Sequence, residues 1–473
     1  MPLKQSFSVS TTTELANYNN SHSEIIFVGD KVRTSGNPFR WAGNALKSNG
    51  GTILQGAGGV WEMMFDGPVN VNWFGALSNG QDVTREFQKA VDFAHQYGKR
   101  VYVPGYEEVN YYQIGQVNLY DNSIIYGDFR RTIIVPSNHA VTKIFNIEGK
   151  SYTKEVKTYN NIYGLTILNQ VRNGPITLAC TALHFKYCDE IYLSELIIDG
   201  FDINMNIEDS NSIYGREIRS RGASRNNMRI TFSQPDVPFI GSWVFMNECE
   251  FNGGNFAHAA PEEKYSVYIE NMSSVTFDKC VVTGNAGGGI KFRQSYLNPV
   301  TKIDMAFIVI TGCDIDSNHG TGIRGEYSRN CVIKGNWISS GREQKASGID
   351  LYNCESCSVT ENQCFYNGSN GLLITKCRYL TVSNNVCTNN GEGKAVSGCG
   401  IRCVNSSFNT FTGNICLAKK YDWPNGNQTN GLLSDGGSDY NIFTSNILTS
   451  NDHPLQLQGK NNTSANNIIS GNV

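Results

Sequence analysis

Three acidic residues in the second half of the chain, Glu270, Glu326 and Asp350, are candidates for a catalytic acid and base. They lie in short stretches where apolar and polar residues alternate, which is the pattern of a strand with one buried face. The acids occupy polar positions of this alternation, so we expect them on the exposed face. Glycoside hydrolysis uses two carboxyl groups, because one protonates the leaving oxygen while the other activates water.

Basic and aromatic residues near these acids are candidates for substrate binding. They are Arg229, Tyr268, Lys291, Arg293, Arg324, Trp243 and Tyr296. The cations also suit a second reaction, since a polysaccharide lyase neutralises a uronate carboxylate and abstracts the C5 proton with Lys, Arg, His or Tyr. The parts of a lyase would be Arg229, Lys291, Arg293 and Tyr268. A ladder of surface ion pairs is a third interpretation of the same residues.

The elements that must position these residues come from an internal repeat. From about residue 180 onward, a Gly–aliphatic pair such as Gly348-Ile349 alternates with a unit ending in Asn, such as Thr360-Glu361-Asn362. No helical periodicity interrupts this pattern, which predicts a parallel β-solenoid with coils stacked about 4.8 Å apart. The Asn residues are expected to form an internal ladder of hydrogen-bonded amides. Its predicted members are Asn336, Asn362, Asn385, Asn414, Asn446 and Asn472.

Fourteen cysteines follow the same repeat. The single CxxC, Cys354 to Cys357, has no partner motif of the kind a zinc site needs. Free cysteine behaves as a small buried hydrophobe, so we interpret the cysteines as stacked core residues. Calcium-loop patterns are also missing. The sequence therefore predicts neither a metal nor a cofactor.

Stacking the coils on these repeats gives a register for the outward residues. One predicted column runs His184, Asn204, Arg229, Tyr268, Lys291, Arg324, Asp350, and its neighbour runs Lys186, Asn206, Thr231, Glu270, Arg293, Glu326, Tyr352. In this register Glu270 and Glu326 are two coils apart, which is roughly 9 to 10 Å between backbones. The carboxyl groups could then approach the separation of about 6.5 to 9.5 Å that suits an inverting glycosidase.

Inserted loops indicate where a cleft should lie. Three coils are lengthened, at about 233–242, 255–265 and 294–306. The first and third insertions are expected at the same corner of alternate coils. The coil between them has only a short turn there, Asn271 to Ser274. We therefore expect two loops that flank a cleft beside Glu270.

Composition limits the class of protein. The 473 residues are 40% hydrophobic and 17% charged, which is too little charge for a coiled coil or a charged disordered tail. The net charge of -3 disfavours a nucleic-acid binder. No apolar run is long enough to span a membrane, and the first residues lack the apolar core of a secretory signal. The sequence predicts a soluble protein made in a reducing cytosol.

The leading part of the chain resembles a known family. Its motifs are Trp73-Phe74-Gly75-Ala76, an amphipathic helix over 83–96 with Asp82 as N-cap, and Val101-Tyr102-Val103-Pro104-Gly105. They resemble the first segment of pectate-lyase-like right-handed β-helices, in particular those of bacteriophage tailspike depolymerases. Residues 50–68 also look like tailspike N-terminal regions.

The resemblance implies an all-β chain, a right-handed parallel β-helix with a single N-terminal capping α-helix. The expected division is an N-terminal segment 1–68, a segment 69–135 with the helix and first strands, and the β-helix with its inserted loops over 136–473. A tailspike is expected to be a homotrimer, to assemble in the host cytoplasm and to be part of the virion. The N-terminus would attach to phage tail or adaptor proteins.

The same resemblance implies a function. We expect a tailspike depolymerase that binds and cleaves a repeating bacterial surface polysaccharide, such as a capsule, an exopolysaccharide or an O-antigen. Glycoside hydrolysis by paired carboxylates is the leading mechanism, and lyase chemistry is the alternative. A glycan-binding receptor spike without catalysis also stays open. A bacterial β-helix enzyme unrelated to phage is disfavoured by the missing secretory signal.

Overall fold

The structure is a computed structural model that describes residues 7–18, 25–106, 110–149, 159–170, 179–233, 241–295, 305–339, 341–392, 398–418 and 428–470. The chain divides into two compact units. The first comprises residues 1–149, 158–180 and 193–197, and the second residues 150–157, 181–192 and 198–473. No helix within the described ranges is long and apolar enough to cross a membrane.

The first unit begins with a five-stranded sheet. Its strands, in spatial order, are Phe7–Val9, Ile25–Val28, Phe39–Gly43, Gly59–Met63 and Ile53–Gly56. The first two strands are parallel, and the others are joined antiparallel. Two short helices, Thr12–Asn17 and Lys31–Thr34, lie in the same part of the chain and were not predicted from the sequence.

The predicted amphipathic helix is Thr84–Gln96, preceded by the 3-10 helix Val71–Phe74. Its N-cap is Val83 rather than Asp82, but the Asp82 carboxylate still accepts a hydrogen bond from the Thr84 amide at 2.9 Å. Phe87 of this helix packs against the ring of Tyr112, with centroids 6.5 Å apart. The helix therefore covers the first coils of its own unit with an apolar face, as a cap must.

Short parallel strands of the first unit start the coiled architecture. They are Val69–Asn70, Val101–Val103, Tyr112–Ile114, Val117–Leu119, Ile124–Gly127, Ile133–Pro136, Lys143–Glu148, Asn160–Tyr163 and Thr166–Leu168. Ile124–Gly127 pairs with Val101–Val103 on one side and with Asn160–Tyr163 on the other. The strand Ile191–Asp199 then carries residues that belong to both units.

The second unit is a parallel β-helix. Each coil contributes one strand to the sheet that carries the candidate site, called the site sheet below. Its strands are Thr181–Lys186, Ile203–Glu208, Asn226–Thr231, Tyr265–Glu270, Gly288–Arg293, Ile323–Glu326, Ile349–Tyr352, Leu372–Thr375, Gly398–Val404, Gln428–Ser434 and His453–Leu457. All the pairings between these strands are parallel, which confirms the predicted solenoid.

The remaining strands of each coil lie on two further faces. They are Ile213–Arg221, Gly241–Asn247, Glu250–Asn252, Met272–Asp278, Val281–Thr283, Ile308–Thr311, Asp314–Ile315, Val332–Lys334, Trp337–Ser339, Ser358–Thr360, Gln363–Phe365, Thr381–Ser383, Val386–Thr388, Thr410–Thr412, Ile415–Leu417, Ile442–Thr444, Ile447–Thr449, Thr463–Ala465 and Ile468–Ser470. A two-stranded sheet pairs Met305–Ala306 with Ser328–Arg329, and a 3-10 turn spans Pro261–Glu263.

Stacked side chains fill the coils as the repeat predicts. All fourteen cysteines are buried, and Cys364, Cys387 and Cys416 stack in one inward column. A Cβ atom on Gly371 would lie 3.0 Å from that of Cys387 and 2.7 Å from the Gly400 carbonyl oxygen. Only glycine leaves room for this close approach of neighbouring coils, which explains the Gly–aliphatic unit.

The predicted asparagine ladder is present, with one correction at its end. Each amide in turn donates to the next side-chain oxygen at 2.9–3.0 Å, through Asn336, Asn362, Asn385, Asn414, Asn446 and Asn467. The last rung is therefore Asn467, five residues before the predicted Asn472, which lies outside the described residues. The sequence offers Asn at both positions, and only the length of the final coil selects between them.

Candidate active site

The candidate residues share the outer face of the site sheet. Strand pairing places Arg229, Tyr268, Lys291, Arg324 and Asp350 in one column. A second column contains Thr231, Glu270, Arg293, Glu326 and Tyr352. The predicted register is therefore confirmed from Arg229 onward. The two-coil separation of Glu270 and Glu326 follows from it.

One coil of the predicted register is wrong. Asn206, not Asn204, pairs with Arg229, and Glu208 takes the position beside Thr231. Asn204 lies instead at a buried corner, where its amide donates to the Asn227 side chain at 3.1 Å. The register predicted from the sequence therefore does not place Glu208 in the second column, next to Thr231. A shift of two residues preserves the alternation of inward and outward side chains, so the apolar pattern gives no warning of it.

Glu326 is the centre of an ion-pair network. One of its oxygens lies 3.0 Å from Arg324 Nε, and the other lies 3.4 Å from Lys291 Nζ and 3.9 Å from Arg293 Nε. Its side chain is only 14% exposed. Glu326 is therefore the shared ion-pair partner of three neighbouring cations, which is a structural task in itself.

Asp350 lies at the end of the same network. It forms an ion pair with Arg324, and its second carboxylate oxygen has no hydrogen-bond partner among the described residues. Burial raises the pKa of Asp350 despite the nearby Arg324. Asp350 faces a cleft of about 650 Å³ whose lining includes Tyr265, Glu343 and Arg402. Asp350 and Glu270 therefore line two different clefts.

The loop 255–265 covers part of the outer face. Glu263 lies 3.6 Å from Arg229, and the Glu262 carbonyl accepts a hydrogen bond from Lys291 Nζ at 3.1 Å. Tyr268 and Lys291 are consequently only 1% and 4% exposed. Burial raises the pKa of Tyr268 and lowers that of Lys291. Both residues occupy outward positions on their strands, but neither is accessible to a polymeric substrate.

An open cleft of about 430 Å³ lies at the other end of these strands, and we call it the carboxylate cleft. It is lined by Glu208, Arg229, Thr231, Phe232, Ser233, Glu270, Asn271 and Ser295. Thr231 separates the two acids on consecutive strands, so their backbones are roughly 9 to 10 Å apart. Glu208 accepts a hydrogen bond from Asn206 at 2.8 Å, whereas Glu270 lies 3.5 Å from Arg293 Nε.

One predicted substrate-binding residue lies away from this cleft, and another lies outside the described residues. Trp243 is exposed on Gly241–Asn247, a strand outside the site sheet, and does not line the carboxylate cleft. Tyr296 and most of the loops at 233–242 and 294–306 lie outside the described residues. Ser233 and Ser295, which are described residues at the start of these two loops, both line the cleft. In the described part of the chain, no group of three or more His, Cys, Asp and Glu residues could hold a metal ion.

This arrangement can bring two carboxyl groups to opposite sides of a bound sugar unit. Their backbone separation of roughly 9 to 10 Å is compatible with the carboxyl separation of about 6.5 to 9.5 Å that an inverting glycosidase requires. Arg229 adds a positive charge at the cleft wall, with its guanidinium 5.9 Å from the centre of the Tyr268 ring. The buried Tyr268 thus contacts Arg229 from inside the site sheet rather than from the cleft.

The chain is similar to known proteins in fold rather than in sequence. Residues 241–416 match the family described as right handed beta helix region. No curated protein matches the chain. Tailspike protein 3 of bacteriophage CBA120 aligns with 97% of this chain and 78% of its own length, at 14% identity and a TM-score of 0.62.

Two further solved structures are similar at lower scores. Tailspike protein gp49 of Acinetobacter baumannii bacteriophage Fri1, a capsular polysaccharide depolymerase, covers 99% of this chain and 76% of its own, with 12% identity and a TM-score of 0.47. The A-module of the Azotobacter vinelandii mannuronan C-5 epimerase AlgE4 covers 85% and 97%, with 15% identity and a TM-score of 0.49.

These matches define the class of fold. The family match and the alignment with tailspike protein 3 confirm the predicted right-handed parallel β-helix. They also confirm, at the level of the fold, the resemblance to phage tailspikes that the leading segment indicates.

Proposed function

We propose that the chain is a phage tailspike depolymerase that hydrolyses a repeating bacterial surface polysaccharide. The observation that carries this proposal is the carboxylate cleft, with Glu208 and Glu270 on either side of Thr231. An open cleft on the face of a β-helix suits a polymer that enters and leaves at both ends. The tailspike fold supports the phage assignment.

The contacts of the two acids suggest their roles. Glu270 is the better candidate for the catalytic base, because the positive charge of Arg293 lies beside it. The base must be a carboxylate to activate water. Glu208 accepts from a neutral amide, Asn206, and no cation among the described residues forms an ion pair with it. Glu208 is therefore the better candidate for the acid that protonates the leaving oxygen.

The sequence suggests Glu326 or Asp350, rather than Glu208, as the catalytic partner of Glu270. We assign them lesser roles, because Glu326 is held by three cations and Asp350 faces another cleft. Glu326 then acts as a positioning residue that fixes Arg293, which in turn contacts Glu270. Arg229 and Arg293 remain our proposed substrate-binding residues, since both line clefts.

The tailspike assignment includes assembly and location. The chain would form a homotrimer, assemble in the host cytoplasm and act from the virion at the host surface. Its N-terminal segment would bind phage tail or adaptor proteins. The support for these points is the fold similarity to a phage tailspike together with the leading-segment motifs.

Substitution of each acid tests the proposal. Glu208→Gln and Glu270→Gln keep an acceptor oxygen but cannot transfer a proton, so each should lower the rate of capsule or lipopolysaccharide cleavage by about 10² to 10⁴-fold. Glu361→Gln is the control, because Glu361 is an exposed acid paired only with Lys334 at 3.4 Å. Full activity in either cleft variant would contradict the assignment. A chain that binds host glycan but releases no oligosaccharide would instead be a receptor spike.

A lyase is the second candidate, and Tyr352 favours it. The Tyr352 hydroxyl accepts a hydrogen bond from Lys376 Nζ at 3.0 Å, and this contact lowers the pKa of Tyr352. A tyrosine in this state can act as the base that abstracts a proton beside a uronate. Of the four lyase residues that the sequence predicts, Tyr268 and Lys291 are buried. Tyr352→Phe should abolish cleavage only if elimination occurs, and the products would then carry a double bond absorbing in the near ultraviolet.

A further inference from the structure

A second cleft lies beside the carboxylate cleft and has a different chemistry. It has a volume of about 580 Å³, and we call it the cationic cleft. Its described lining is Arg293, Gln294, Ser295, Tyr327, Arg329, Asn353, Cys354, Glu355, Lys376 and Arg378. Ser295 lines both clefts, so the two clefts are neighbours.

The charge of this lining is unusual for the chain. Four basic side chains face one acidic side chain, whereas the whole protein has a net charge of -3. The single acid, Glu355, lies between two arginines, 3.2 Å from Arg329 Nε and 3.6 Å from Arg378 Nε. One carboxylate cannot neutralise both guanidinium groups. A cleft lined by charges of one sign concentrates the field and attracts ligands of opposite charge.

Two of the basic groups, Arg329 and Arg378, lie at the surface, whereas Arg293 belongs to the Glu326 network. The Arg329 and Arg378 side chains are 51% and 58% exposed. Arg329, Glu355 and Arg378 follow one another on consecutive coils, so the two arginines are roughly 9 to 10 Å apart along the stack. Tyr327 adds an exposed aromatic ring to the wall. Guanidinium groups and an aromatic face together fit a sugar that carries a carboxylate.

We infer that the cationic cleft binds the carboxylate groups of an acidic polysaccharide, as an extension of the carboxylate cleft. This inference rests on the proposed polysaccharide-cleaving function and names its substrate class. Binding by Arg378 needs no rearrangement of Glu355, since Arg329 remains as the partner of that acid. The association should weaken with salt, because half-exposed cations are screened.

The test compares a polysaccharide that the protein cleaves in its native form and after carbodiimide–borohydride reduction of its carboxyl groups. We expect kcat/KM to fall at least about tenfold on reduction, the loss typical of a charged hydrogen bond. Arg378→Ala should lower kcat/KM by about tenfold on the native polymer and leave the reduced polymer unaffected. Lys334→Ala, which removes an exposed lysine outside the cleft, is the matched control.

The outcomes separate this inference from the proposed function. Equal cleavage of native and reduced polymer, or an equal effect of Arg378→Ala on both, would overturn the inference and leave the hydrolase intact. If no polymer is cleaved, an array of purified acidic and neutral bacterial polysaccharides gives the answer. Binding confined to acidic polymers and weakened by Arg378→Ala would support the inference without catalysis. Binding to neutral polymers, or to none, would refute it.

Discussion

Glu326 and Glu270 occupy the same column two coils apart, yet the same Glu→Gln substitution should affect stability at one position and catalysis at the other. Glu326→Gln removes the negative charge that forms ion pairs with Lys291, Arg293 and Arg324. Glu270→Gln removes a charge that has one cationic neighbour at 3.5 Å. The first change should mainly destabilise the fold, and the second should mainly abolish catalysis.

The magnitude follows from burial. Lys291 is 4% exposed, and without Glu326 its remaining polar contact in the described chain is the Glu262 carbonyl. Leaving a buried charge without its partner costs roughly 3 to 5 kcal/mol. Because the network is partly exposed, Glu326→Gln should lower the free energy of unfolding by about 3 kcal/mol. Glu361→Gln breaks an exposed pair and should cost less than about 0.5 kcal/mol.

Urea unfolding followed by tryptophan fluorescence measures these differences in the free energy of unfolding. The expected order is Glu326→Gln well below Glu361→Gln, with Glu270→Gln close to the wild type. Equal stability of the Glu326 and Glu361 variants would refute the reasoning, because it would mean that the network contributes no more than a surface ion pair.

Two further predictions concern the fold and its pH dependence. Asn385→Ala removes the partners of the Asn362 amide N–H and the Val359 carbonyl, so it should lower the free energy of unfolding by about 3 kcal/mol. A loss below about 1 kcal/mol would contradict the ladder. Because burial raises the pKa of Asp350, its ionisation costs stability in the folded state. Wild-type stability relative to Asp350→Asn should therefore fall as the pH rises from about 4 toward neutrality, and a constant or rising difference would contradict this.

The repeat made most of the β-helix predictable from the sequence. At Gly371 and its equivalents the neighbouring coil is too close for any side chain, so these positions must be glycine. The buried Asn amides must find hydrogen-bond partners in adjacent coils. Both requirements fix the register of the coils. The same constraint is weak at the coil Ile203–Glu208, where a two-residue shift leaves every apolar side chain inside. There the contact of Asn204 with Asn227 decides the register, and sequence patterns do not show which Asn takes the corner.

The candidate site was less predictable than the fold. Alternation shows that Tyr268 and Lys291 point outward, but it does not show that the loop 255–265 covers them. Charge type alone also fails to distinguish Glu270, which has one cationic contact, from Glu326, which has three. Burial and ion pairing depend on three-dimensional contacts between distant segments. The pairing of Glu208 with Glu270 across Thr231 therefore becomes apparent only in the structure.

A proton NMR spectrum recorded during the first minutes of polysaccharide digestion tests the central claim most directly. Hydrolysis by Glu208 and Glu270 at their two-coil separation predicts new reducing ends with inverted anomeric configuration and no olefinic signal. Retained configuration would contradict the proposed geometry. An olefinic signal from unsaturated uronate would contradict hydrolysis itself.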